Sequence, residues 1–409
     1  MRRTHYAWAI CLGSALMLFI VMGLGVNVFS IYQPYLISVN GFTNAQASMV
    51  ITMRSLLILF GMISGTWVCQ HLGLRNIACL AILLFAGGCF LFGVGSSFLF
   101  CCIAAMLTGL GYSWGGMIPI SLLINQWFQD RQTYALGISS IGSGLATILA
   151  PAPLTWLIEH ISLRAAFWCE GICALCLALV VWLIVRDNPK CMGLSPYRVA
   201  VPSESPNSPV RTRPQAMTDC RWHMVLLATL LMGPASSLGL VNMGALYASE
   251  GYSSGVVAAL ISVVGLSLMV AKPLYGQLVD RIGGRRSNYL VYAASLLGYA
   301  LCALAPTGSV PLAFLAAVVY GIGLPIGCMS LTVWAKDCLG DAGFSRGVKW
   351  CQTMFALGNL LVGSVPGLLA DRFGSYLPAY FLFFGMMLIS MILMSYVYAV
   401  TSAGTQTES

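Results

Sequence analysis

Charge is what this sequence has least of. Only 8% of its 409 residues are Asp, Glu, Lys or Arg, and 12 acids stand against 20 basic residues; a soluble domain is about 25% charged. A chain so poor in charge cannot cover itself with solvated surface, which excludes a water-soluble globular fold. Histidine is rarer still. His5, His71, His160 and His223 are the whole set and sit at the ends of apolar runs. No H-E-x-x-H pair, phosphate-cradling glycine loop or convergent acid–histidine group exists. The sequence therefore argues against an enzyme, and no catalytic residue, metal or cofactor is expected. The 15 cysteines, such as Cys101, Cys102, Cys169, Cys173 and Cys176, mostly lie inside apolar runs without metal-site spacing, and read as small membrane-compatible hydrophobes. The net charge of +8 is spread along loop ends rather than gathered on one face, so nucleic acid is not an expected partner.

What is present is hydrocarbon: 59% of residues are hydrophobic and the mean hydropathy is +0.86. The run from Ala7 to Ile31 is about 25 residues and no polar cleavage region follows it, so it reads as a first spanning helix rather than a signal peptide. At about 20 apolar residues per span, the chain divides into twelve: 7–33, 45–70, 77–95, 98–125, 135–158, 165–185, 222–248, 255–278, 288–305, 310–335, 346–369 and 376–399. With the N-terminus inside, sixteen Lys and Arg fall in inner segments and only Arg164 and Arg372 outside. That asymmetry predicts both termini in the cytoplasm and a home in the plasma (cell inner) membrane.

Residues 187–221 abandon hydrophobicity for Pro, Ser, Asn and Arg and read as a flexible cytoplasmic linker. It separates a six-helix half over 1–186 from another over 222–400, with a tail at 401–409. Internal similarity crosses it: Gly109, Gly111, Gly115 and Met117 match Gly321, Gly323, Gly327 and Met329 at a constant offset of 212, and Pro153 matches Pro366 at 213. The expected fold is all-α and integral to the membrane, two pseudo-symmetric halves with a binding site between them.

Two basic residues fall inside spans. Lys272 is either an anion ligand in a central cavity or a lysine snorkelling to the inner interface. Arg54, about ten residues into the second span, is a second anion contact or a gate, or else is paired with Glu170 or Glu250 or held by water. Polar and aromatic residues at middle depth are candidate pocket groups: Asn27, Tyr32, Tyr112, Trp114, Asn242 and Tyr320; an interfacial ring is otherwise a membrane anchor. Gly137, Gly142, Gly144 and Gly358 are read as places of close helix approach.

The loop Gly276-x-x-x-Asp280-Arg281-x-Gly283-x-Arg285-Arg286 resembles the cytoplasmic signature of the major facilitator superfamily. Physically, Asp280, Arg281 and Arg285 suit an inter-helix charge latch. In the first half, Gly65, Gly73 and Arg75 recur, with Gln70-His71 in place of Asp-Arg. Within the superfamily, three stretches resemble the monocarboxylate and oxalate–formate branch: Trp127-Phe-x-x-Arg131 with Gly142-Ser-Gly144, Arg186-Asp-Asn-Pro189, and Gly367-Leu-Leu-Ala-Asp371-Arg-Phe-Gly374. The resemblance implies a carrier with twelve helices, with Lys272 where relatives place a substrate-binding arginine and Arg131 beside a gate. Leu268 stands where proton-coupled relatives place an acid, and the middle of the eleventh helix lacks the second cation of oxalate–formate exchangers.

The expected function is thus a monomeric alternating-access transporter of a small organic anion, most simply a monocarboxylate paired by Lys272. A proton or second anion is the candidate companion, by symport or antiport, with uniport also open. A drug exporter, a dicarboxylate exchanger using Arg54 as second cation, and a transporter-like receptor are the alternatives.

Overall fold

Hydrocarbon offers no partner for a backbone N–H or C=O, so a segment that crosses it as a helix satisfies those groups internally. Twelve apolar helices do this in a computed structural model, which describes residues 5–129, 132–197 and 219–404. They are α1 (Ala7–Ser38), α2 (Asn44–Gly65), α3 (Leu74–Val94), α4 (Phe98–Trp127), α5 (Ala135–His160), α6 (Leu163–Ile184), α7 (Cys220–Val241), α8 (Ser254–Val279), α9 (Gly284–Thr307), α10 (Val310–Gly340), α11 (Arg346–Phe373) and α12 (Leu377–Val400). The expected spans recur within a few residues at most ends; α1 runs on to Ser38 and α10 to Gly340, whereas α7 stops at Val241, short of the expected 248. The chain is a multi-pass membrane protein, and side chains such as Phe60, Leu99 and Leu361 project from its outer face.

Local chemistry sets the helix ends. A capping box opens α2: Thr43 Oγ1 accepts from the Gln46 N–H at 3.1 Å and Gln46 Oε1 accepts from the Thr43 N–H at 3.0 Å. The α2 helix continues to Leu72 and the α8 helix to Ile282, each ending at a glycine with positive φ, Gly73 at 78° and Gly283 at 84°. Both helices are 29 residues long and begin 210 positions apart. The internal repeat is therefore carried in turn geometry as well as in residue identity.

One side of the bundle bears the N-terminus and the loops after α2, α4 and α8 (the terminal side); the other bears the loops after α1, α3, α5, α7, α9 and α11 (the far side). Residues 187–197, expected as free linker, are folded. Asp187 Oδ1 accepts from the Arg75 N–H at 2.6 Å at the start of α3, and Arg75 lies over Trp182 at 4.3 Å. The loop where Asp-Arg is missing thus borrows its carboxylate from beyond α6. Tyr197 bonds to Trp127 and Gln129 backbone and packs on Trp8. The rest of the linker, 198–218, and Arg131 lie outside the described residues.

Candidate substrate site

On the far side the halves are tied by hydrogen bonds. Asp371, near the end of α11, reaches across to the first turn of α2, accepting from the Asn44 N–H (3.0 Å), Asn44 Nδ2 (2.8 Å) and the Ala45 N–H (2.8 Å). A carboxylate there satisfies orphan N–H groups and sits at the positive end of the helix dipole. Deeper in, Gln33 Nε2 donates to Asn242 Oδ1 at 2.9 Å and to the Tyr376 hydroxyl at 3.2 Å. Glu159 of α5 accepts from Tyr35 at 3.1 Å and from Ser254 of α8. Two glycines let backbones touch across the seam: a Cβ on Gly244 would overlap the Ser30 carbonyl, and one on Gly367 would overlap Asn44 and Ser48. Toward the terminal side, Gly65 and Gly276 of the repeated loop meet nothing closer than 3.9 and 4.0 Å. The conformation is closed on the far side.

Beneath this seal lies a cavity of about 90 Å³ between the halves, lined by Met22, Asn27, Tyr112, Leu268, Lys272, Gln352 and Phe355 among others. Lys272 is 3% exposed and its Nζ donates to Ser143 Oγ, on α5 of the opposite half, at 2.9 Å. Seven residues, about 10 Å of helix, separate it from the end of the span at Val279, and its ammonium is buried against the opposite half, so it does not snorkel. Pro273 follows it and offers no N–H to the Met269 carbonyl, which loosens α8 beside the charge. An ammonium has three donors, and Ser143, itself donating to the Ser140 carbonyl at 3.0 Å, uses one of them. Among the described residues lining this cavity there is no carboxylate.

A second, smaller cavity adjoins the first and shares Val26, Met62, Tyr112, Ser237 and Phe355 with it. Arg54 lines it, 3% exposed. Its Nη1 donates to the Gly25 carbonyl at 2.7 Å, in the π-helical stretch Phe19–Asn27 of α1, and its guanidinium lies 4.6 Å from the Phe29 ring centroid. Neither candidate acid pairs with it. Glu170 accepts from the Tyr32 hydroxyl at 2.7 Å and Glu250 from Ser375 at 2.5 Å.

The remaining candidates divide. Asn27 and Tyr112 line the main cavity, and Asn27 Nδ2 is steadied by Thr147 Oγ1 at 2.9 Å. Four candidates lie outside both cavities. Tyr32 is turned to Glu170 and stacked on Phe167, Trp114 donates to Ser64 Oγ at 3.3 Å, Asn242 serves the far-side seal, and Tyr320 is buried against Tyr299. Of the gate residues, Arg281 and Arg285 are exposed on the terminal side, and the Asp280 side chain lies outside the described set. A Cβ on Gly142 would overlap the Ala15 carbonyl and one on Gly358 the Leu230 carbonyl, whereas Gly137 faces open space. Sequence reasoning passed over Gln352, Phe355 and Asn359, which line the cavities, and Ser143, which accepts from Lys272; the serine inside Gly142-Ser-Gly144 was the available signal.

The profile of the Major Facilitator Superfamily matches residues 15–348. Rat monocarboxylate transporter 12 is 25% identical over 71% of this chain, and the match covers 64% of that protein, less than two thirds of its length. The agnestins efflux protein AgnL12 of Paecilomyces divaricatus is 24% identical, over 78% of this chain and 70% of that one. The crystal structure of a bacterial homolog to the human lysosomal transporter Spinster superposes with a TM-score of 0.66 at 15% identity, covering 97% of each chain, which shows a shared fold.

Proposed function

This chain belongs to the major facilitator superfamily, and on that premise we propose that it is an alternating-access secondary transporter of a small organic anion, in the first instance a monocarboxylate, paired by Lys272 between the halves. The observation that carries this reading is a buried lysine whose only hydrogen-bond partner among the described residues is a neutral hydroxyl, in a cavity that no described acid lines. An arriving carboxylate supplies the missing countercharge, and the low dielectric strengthens that attraction. Asn27, Tyr112 and Gln352 offer polar contacts, and the Met, Leu and Phe walls suit a short hydrocarbon chain. The name of the rat relative agrees.

The termini are assigned to the cytoplasm by the charge asymmetry, so the far-side-closed form faces inward. Asp280, Arg281, Arg285 and Arg131 are then the groups that meet when the inner face closes. Leu268 in the cavity wall leaves no carboxylate one turn from the lysine for a proton, which favours exchange or facilitated diffusion. Export of hydrophobic compounds is the second reading, favoured by the apolar share of the walls and by the name of the fungal relative.

Counterflow in proteoliposomes across a panel of short monocarboxylates, with and without a pH gradient, tests the proposal. Saturable uptake of at least one acid is expected, little changed by the gradient. Transport of hydrophobic cations with no carboxylate moved would overturn it.

A further inference from the structure

Arg54 is buried, charged and only half used. Of its donors, Nη1 is taken by Gly25, while Nε is buried without a partner. No other hydrogen bond of this guanidinium is present among the described residues. What stays free is the Nε/Nη2 edge, where two parallel N–H groups match the two oxygens of a carboxylate. In the same cavity the Asn359 Oδ1 is also buried and unpaired, and a half-turn of that amide presents Nδ2, a donor, instead. Among the described residues no acid lines either cavity, so the two adjoining cavities hold two cations and no described anion of the protein.

We infer that Arg54, with Asn359, forms a second carboxylate subsite, so that the carrier also takes short dicarboxylates, one carboxylate on Lys272 and the other on the free edge of Arg54. This rests on the anion-carrier reading above and extends it to a substrate class. The cation–π contact with Phe29 and the Gly25 carbonyl fix the plane of the guanidinium, so its free edge is held for the ligand. The five residues common to both cavities mark where the two adjoin, and the chain between two carboxylates crosses there in the proposed pose; Tyr112 and Ser237 are the hydroxyl-bearing residues among the five. Because charge-assisted hydrogen bonds are the strong ones, the second carboxylate is worth about tenfold or more in affinity.

The test uses the full chain in proteoliposomes with acids matched in chain length: propionate against malonate, and butyrate against succinate. Wild type is expected to take each dicarboxylate with a KM about tenfold or more below that of its partner. Arg54→Gln removes this advantage: the ratio of monocarboxylate to dicarboxylate KM falls about tenfold or more. Arg54→Lys keeps the charge but not the paired edge, and is expected to lose most of the advantage; it also serves if Arg54→Gln fails to fold, as judged by thermal unfolding. Equal affinity of wild type for both acids of a pair, or a parallel loss of both in a folded Arg54 variant, overturns the subsite. Failure of the underlying reading is distinguishable, since wild type would then move neither acid of a pair, or Lys272→Gln would leave monocarboxylate transport intact, whatever Arg54 does.

Discussion

Replacing Lys272 by Gln lowers the kcat/KM of carboxylate transport about 30-fold or more while the protein stays folded. The size follows from removing one member of a desolvated charge pair, which costs about 2–5 kcal/mol. The folding half of the expectation follows from the empty site. Lys272 is buried against one neutral hydroxyl, so the charge is a burden to the unliganded protein, and its removal leaves the melting temperature equal or higher. Activity falling while stability holds separates a ligand group from a structural one. Lys272→Arg restores charge and recovers part of the transport. A Gln variant that still moves carboxylates at the wild-type rate would sink the Lys272 assignment and leave the exporter reading standing.

Substituting Leu at Gly244 or Gly367 slows transport by a different route. Each of these glycines touches backbone of the other half on the far side, so the new side chain is a wedge in the seal. It costs about 1–3 kcal/mol in the closed arrangement and nothing where the halves are apart, a population shift of roughly 5- to 150-fold toward far-side opening. Cys328 lines the central cavity and reports the shift. Its labelling by a membrane-impermeant thiol reagent applied from the far side, followed on the Cys328 peptide by mass spectrometry, rises by the same order. Gly142→Leu is the contrast: its neighbour Ala15 lies in the same half, so that variant loses folded yield instead. Unchanged transport and Cys328 labelling in both Gly244→Leu and Gly367→Leu would refute the wedge.

The spans were legible because hydrocarbon thickness fixes a length and the scarcity of charge marks the ends. Lys272 was legible as a cavity cation because nothing nearby in sequence pairs with it. Depth, however, is only one of two coordinates. Tyr32, Trp114, Asn242 and Tyr320 stand at plausible depth, yet their direction around the helix is set by partners up to 209 residues away, as for Asn242 with Gln33. The Arg54 partner was invisible for another reason: it is a backbone carbonyl, which any residue at position 25 would supply. Asp187 replaced the absent loop acid from over 100 residues downstream, a substitution that no local motif records.

The acid-free cavity described above has an electrical consequence. When the halves rock without cargo, two uncompensated cations change their exposure to the membrane potential, and each is worth up to about 2.3 kcal/mol per 100 mV. The same cations must also pass through an occluded, poorly hydrated state. A bound anion cancels both penalties, fully so if it carries two charges. The empty return is therefore the slow, voltage-sensing half of the cycle, and the loaded crossing is the faster one, half neutralised by a monocarboxylate and electrically quiet with a dianion. A potassium diffusion potential across liposomes should alter net efflux and leave dicarboxylate exchange unchanged.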